Sequence, residues 1–222
     1  MDWSSPIDLY CERDDASFWA EPTNALTNAA FLIAAAAAFL LWRRAGGRDW
    51  QALALIVVVV AVGLGSFTFH TVATRGAMLA DVIPIAIFIY GYLLLALRRF
   101  LQLPAGAAIA IVVAYAAGAQ ALSWLAPSAL NGSISYLPAL VAMAVMARVT
   151  RGQPRRSLEP AVMIFTVSLG LRTIDLAACE TFPIGTHFVW HLLNAVVLYV
   201  LLRSAITESD SKTAASARPG NS

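Results

Sequence analysis

The chain carries three histidines, His70, His187 and His191, and their spacing is the first sign of chemistry. His187 and His191 stand four residues apart in HFVWH. On a helix their imidazoles would therefore share one face about 6 Å apart, as when a helix offers two ligands to one metal. H-x-x-x-H alone is a weak signal, because a histidine near the end of an apolar span is most often simply hydrogen-bonded. A third histidine at the same depth completes a three-imidazole set that leaves one zinc position open for water, which is a catalytic rather than a structural arrangement. Two facing histidines could also be axial ligands of haem, although three ligands beside a carboxylate suit zinc better. Zinc in such a place lowers the pKa of bound water to about 7 and polarises a carbonyl.

Two further groups converge on the same place. Ser66, in GLGSFTFH, lies one helical turn before His70, and the nearby Gly63 and Gly65 let another helix approach closely. A serine in a span can instead bond back to a carbonyl one turn earlier. Asp81, in GAMLADVIPIA, opens the next apolar stretch. A carboxylate entering hydrocarbon needs a partner, and the metal site or its water is the nearest. Arg172 and Asp175, in LRTIDLAAC, are three apart and are expected to form an internal ion pair of structural character.

These residues must be positioned by helices in lipid. Of 222 residues, 59% are hydrophobic and 13% charged, with a mean hydropathy of +0.71. A soluble domain averages about 25% charged residues, so soluble, disordered and disulfide-scaffold classes fall away. A net charge of +2 is too small to argue for nucleic acid. Crossing about 30 Å of hydrocarbon takes roughly 20 apolar residues. Seven stretches qualify, near 25–42, 51–70, 78–97, 104–125, 133–149, 159–178 and 186–203, the fifth interrupted by Pro138. The expected fold is an all-α, seven-transmembrane bundle.

Basic residues orient it. Arg43, Arg44, Arg48, Arg98, Arg99, Arg148, Arg151, Arg155, Arg156, Arg203, Lys212 and Arg218 fall on one side, and only Arg13 and Arg75 on the other. The N-terminus is then outside and the C-terminus cytoplasmic, as for a multi-pass protein of a bacterial inner membrane with its site near the outer face. Residues 1–24 form an outer acidic segment that lacks the positive start of a signal peptide. Residues 25–203 form the transmembrane catalytic domain, and 204–222 a disordered cytoplasmic tail. Cys11 and Cys179 fall on the same outer side, which favours a disulfide over two free thiols. Asp8, Glu12, Asp14 and Glu21 crowd carboxylates beside the outer mouth, a hard-oxygen set that suits calcium. Their spacing is not that of an EF-hand, and a solvated acidic loop is the alternative.

The outer Tyr10-Cys11-Glu12 segment, GLGSFTFH, Asp81 eleven residues after His70 and HFVWH together resemble the alkaline ceramidases. These sit within a larger superfamily of seven-span hydrolases that includes the adiponectin receptors. The resemblance runs from about residue 8 to 203. It implies a zinc amidase that hydrolyses ceramide or a related N-acyl lipid to a sphingoid base and a fatty acid, with membrane lipid as its surroundings. It also implies zinc on His70, His187 and His191, proton transfer by Asp81, and oxyanion stabilisation or ligand orientation by Ser66. Calcium would be held by the Tyr10 carbonyl with Glu12, Asp14 and Glu21, and Cys11 would pair with Cys179. Asp8 stands one position further from Cys11 than the matching residue of the family pattern. The alternative function is non-enzymatic, either a seven-span lipid sensor or a haem-binding membrane protein.

Overall fold

A computed structural model describes residues 2–216. Helices account for the described architecture: α1 Pro22–Thr27, α2 Ala29–Arg44, α3 Trp50–Val72, α4 Arg75–Arg99, α5 Ala105–Leu125, α6 Leu137–Val149, α7 Gly152–Ala178 and α8 His187–Ser216. A 3-10 turn over Ser133–Tyr136 leads into α6. Among the described residues the only β pairing is an isolated bridge between Pro6 and Thr74, which lays the N-terminal segment over the α3–α4 turn.

Among the described residues, six helices are long and apolar enough to cross a membrane, α1 and α2 counting together as Pro22–Arg44. The fifth expected span, 133–149, is an apolar helical segment over those same residues, Ser133–Val149, shorter than the other six. Large side chains such as Ile33, Leu40, Val57, Met163 and Val167 are exposed. In water such a surface would drive aggregation; in lipid it is the favourable one. The core is lined by small and branched residues, among them Ala38, Ala52, Val59, Ala161, Leu202 and Ala205.

Gly63 and Gly65 do what their spacing suggested. A methyl at Gly63 would press on Phe31 and Leu32 of α2, and one at Gly65 would collide with the Ala80 carbonyl of α4. Gly65 therefore sets the α3–α4 separation one residue from Asp81. Gly65→Ala is expected to destabilise the protein by about 1–3 kcal/mol, as overpacking does, and to depress turnover by moving Asp81. A thermal midpoint equal to that of the parent would show that α4 shifts without penalty.

At the end opposite the histidines, Asp49 caps α3 by accepting from Ala52 N. It also takes two hydrogen bonds from Arg99, at 2.5 and 3.0 Å, while Arg99 donates to the Ala205 carbonyl. This ties α3, α4 and α8 at one point. Ser204, Ala205 and Ile206 are buried, so the start of the expected tail packs on the bundle, and α8 extends to Ser216. Residues 217–222 of that expected tail lie outside the described residues.

Candidate metal centre

The last two turns of α3 deliver His70 and Ser66, the start of α8 delivers His187 and His191, and the second turn of α4 delivers Asp81. The helix ends meet beneath the N-terminal segment. The three imidazoles are each about 2% exposed or less. Ring centroids stand 5.2 Å apart for His70–His187, 4.8 Å for His70–His191 and 4.6 Å for His187–His191. One ring nitrogen from each falls within 4.8 Å of the others, and among the described residues this is the group able to hold a metal ion.

Partners on the outer faces of the rings set their direction. Glu21 Oε2 lies 2.6 Å from His70 Nδ1. An ionised carboxylate only accepts, so Nδ1 carries the proton and Nε2 keeps its lone pair for the centre. Thr27 Oγ1 lies 3.0 Å from His191 Nδ1 and directs its own hydrogen at the Thr23 and Asn24 carbonyls. It therefore accepts from Nδ1, and Nε2 of His191 is likewise left as a ligand. His70 Nε2, His187 Nδ1 and Asp81 Oδ1 are buried with no hydrogen-bond partner. Buried polar atoms without partners are rare in folded proteins, and three at one place fit a site made for a cation and a polar substrate.

Tyr10 covers the centre. Its ring stacks on His187 at 3.7 Å between centroids and lies 5.2 Å from that of His70. Burial pushes its phenol well above the usual range. Beneath it a small polar cavity of about 10 Å³ is lined by Ser66, Asp81, Tyr136, Arg172 and the α8 histidines. It adjoins an apolar cavity of about 110 Å³ whose lining includes Tyr92 and Leu201. Phe31, Val62, Ile85, Tyr136 and Trp190 line both.

The expected Arg172–Asp175 ion pair is not formed. Arg172 donates to the Asn131 carbonyl and Ser133 Oγ and lies over the Tyr136 and Trp190 rings. Asp175, fully buried, accepts from the backbone N–H groups of Cys11, Thr186 and His187. The open N–H groups at the start of α8 and the extended outer segment supply donors that a three-residue spacing does not reveal. Asp175 thereby fixes both His187 and the segment above it. Gly185, with φ +63°, turns the chain against Asp175 where a methyl would collide with it and with Cys11.

Cys11 and Cys179 form the disulfide, with Cα atoms 5.3 Å apart. The expected calcium set is dispersed. Glu12 accepts from Thr23 N and Asn24 N, both at 2.7 Å, at the start of α1. Glu21 faces Arg13 and His70, Tyr10 is sandwiched under the segment, and Asp8 and Asp14 are exposed. Calcium gains no support from these contacts. Burial would push the Glu21 carboxyl up, but hydrogen bonds from His70 and Arg13, with the Arg13 charge, outweigh it and hold the group below the usual carboxylate range.

Arg13, Thr27 and Asp175 were not foreseen as site residues. Only Arg13, the one cation in an acidic stretch, carried a signal that sequence inspection could have used.

Fold and site together define a helical, membrane-type protein built around a buried three-histidine centre open to an apolar cavity. The sequence model of the Ceramidase family matches residues 2–216, and the chain belongs to that family. Ceramide hydrolysis is thereby supported at the level of the family. No curated protein matches the sequence.

Proposed function

We propose that this protein is a zinc-dependent amidohydrolase that cleaves ceramide, or a related N-acyl lipid, to a sphingoid base and a fatty acid. The observation that carries the reading is the contact between two unlike spaces: a cluster of three buried imidazoles, two of which, His187 and His191, line a polar cavity, and an apolar cavity beside it able to take a chain. A lipid amide at that junction keeps its polar atoms by the histidines and a tail among Phe31, Ile85 and Trp190.

His70, His187 and His191 would hold the zinc. When bound there, it would supply a Lewis acid for the amide carbonyl and make a water acidic enough to react near neutral pH. The chain's own residues do the rest. Asp81, whose Oδ1 has no protein partner, accepts the proton of the attacking water and returns it to the leaving nitrogen. Ser66, beside Asp81, orients the carboxylate or donates to the carbonyl oxygen as charge develops on it. Tyr10 excludes water from above. Seven crossings, with the site toward the outer face of a bacterial inner membrane, agree with Arg43, Arg44, Arg98, Arg99 and Arg148 ending helices at the far end.

The test is fatty-acid release from a short-chain fluorescent ceramide by purified protein carrying stoichiometric zinc. Zinc-dependent release supports the reading. Bound zinc and bound ceramide without any cleavage would make the protein a lipid sensor instead.

A further inference from the structure

The N-terminal segment brings a cation of its own to the histidine centre. The Arg13 side chain is 5% exposed and its partner Glu21 3%. Arg13 Nε donates to Glu21 Oε1 at 2.5 Å, Nη1 to the Asp15 carbonyl at 3.1 Å and the Ser17 carbonyl at 3.5 Å, and Nη2 to the His70 carbonyl at 3.0 Å. Four oxygens thus converge on one buried guanidinium, and one of them belongs to the histidine whose ring Glu21 holds. The other Glu21 oxygen takes His70 Nδ1 and, at 3.1 Å, Asn24 Nδ2.

We propose that Arg13 is a positioning residue of the histidine centre, its guanidinium taking the Glu21 carboxylate that was expected to serve calcium. It clamps Glu21 onto His70 Nδ1 and so keeps His70 Nε2 aimed at the site. The proposal rests on the zinc reading of the three histidines. Its physical grounds are independent of any ion. A buried carboxylate requires a charged or multiply donating partner, and the planar fork of arginine meets several oxygens in fixed directions, as a compact ion would from the centre of a cage. A carboxylate on the second nitrogen of a ligating histidine fixes both its tautomer and its orientation, and loss of such a partner typically weakens metal binding by about 10- to 100-fold. Because this cation is covalently tethered, the site does not depend on free calcium.

The experiment compares the full-length wild type, Arg13→Ala, Glu21→Gln and the double variant for zinc affinity by competition with a chelator, for thermal midpoint, and for turnover. Arg13→Ala should weaken zinc binding by about 10- to 100-fold, with recovery on adding millimolar guanidinium. The double variant should bind zinc no more weakly than Glu21→Gln, since Arg13 acts through Glu21. Wild-type turnover should be flat as buffered free calcium is raised from nanomolar to millimolar. Arg13→Ala with wild-type zinc affinity overturns the proposal, and so does calcium activation of the wild type, a result that needs no variant to fold. A wild type that binds no zinc overturns the histidine reading itself; zinc held equally by wild type and Arg13→Ala overturns only the role of Arg13.

Discussion

Substituting His70, His187 or His191 by alanine is expected to abolish both zinc retention and ceramide turnover. Each residue contributes one of three buried ring nitrogens lying within 4.8 Å of one another, and among the described residues no carboxylate joins that group, so no ligand is redundant. A three-ligand zinc site reduced to two exposes the ion to competing water and loses its fixed geometry. The variants should nevertheless differ in stability. Removing His70 leaves the buried Glu21 carboxylate without one of its donors, which costs about 1–3 kcal/mol. Removing His191 leaves the Thr27 hydroxyl, which already bonds to two carbonyls, and an Asn24 carbonyl that keeps the Thr27 donor. His70→Ala should accordingly have the lower thermal midpoint of the two. Elemental analysis of the purified variants measures the zinc directly, and full occupancy in His70→Ala would sink the assignment.

Asp81→Asn should retain zinc and fold while lowering turnover by about 10²- to 10⁴-fold, the range of a lost acid–base group. Asp81 lines the same small cavity as His187, His191 and Ser66, and its Oδ1 has no protein partner. It is not part of the group of ring nitrogens that converges on one point. Asparagine fills the same volume but cannot carry the proton between water and leaving nitrogen. A direct ligand would instead lose metal with activity, and a structural carboxylate would lose thermal stability with activity. Zinc content, thermal midpoint and turnover of this one variant therefore separate three roles, and normal turnover with normal zinc eliminates the catalytic one.

Where the two predictions draw on the histidines and Asp81, the sequence was enough to assemble the parts. A four-residue spacing puts His187 and His191 on one helix face whatever surrounds them, and hydropathy places His70 and Asp81 at neighbouring helix ends. The close approach at Gly63 and Gly65 was legible as well, because two residues without Cβ in one turn of an apolar span leave room for a neighbouring helix. The calcium reading failed to gain support because counting carboxylates ignores their partners. Glu12 went to the backbone at the start of α1 and Glu21 to Arg13 and His70.

By itself the sequence determined the helices, the end of the bundle where the polar residues gather, and the residue types able to hold a metal, because periodicity, hydropathy and short spacings are local properties of the chain. Only the tertiary structure decided which oxygen meets which donor. Asp175 abandons Arg172, three residues away, for the N–H of Cys11, 164 residues away; Thr27 turns its oxygen to His191 at the same separation; and Arg13 reaches the carbonyl of His70. Burial forces every one of those groups to find a partner, and which partner is near enough is set by how the helices pack.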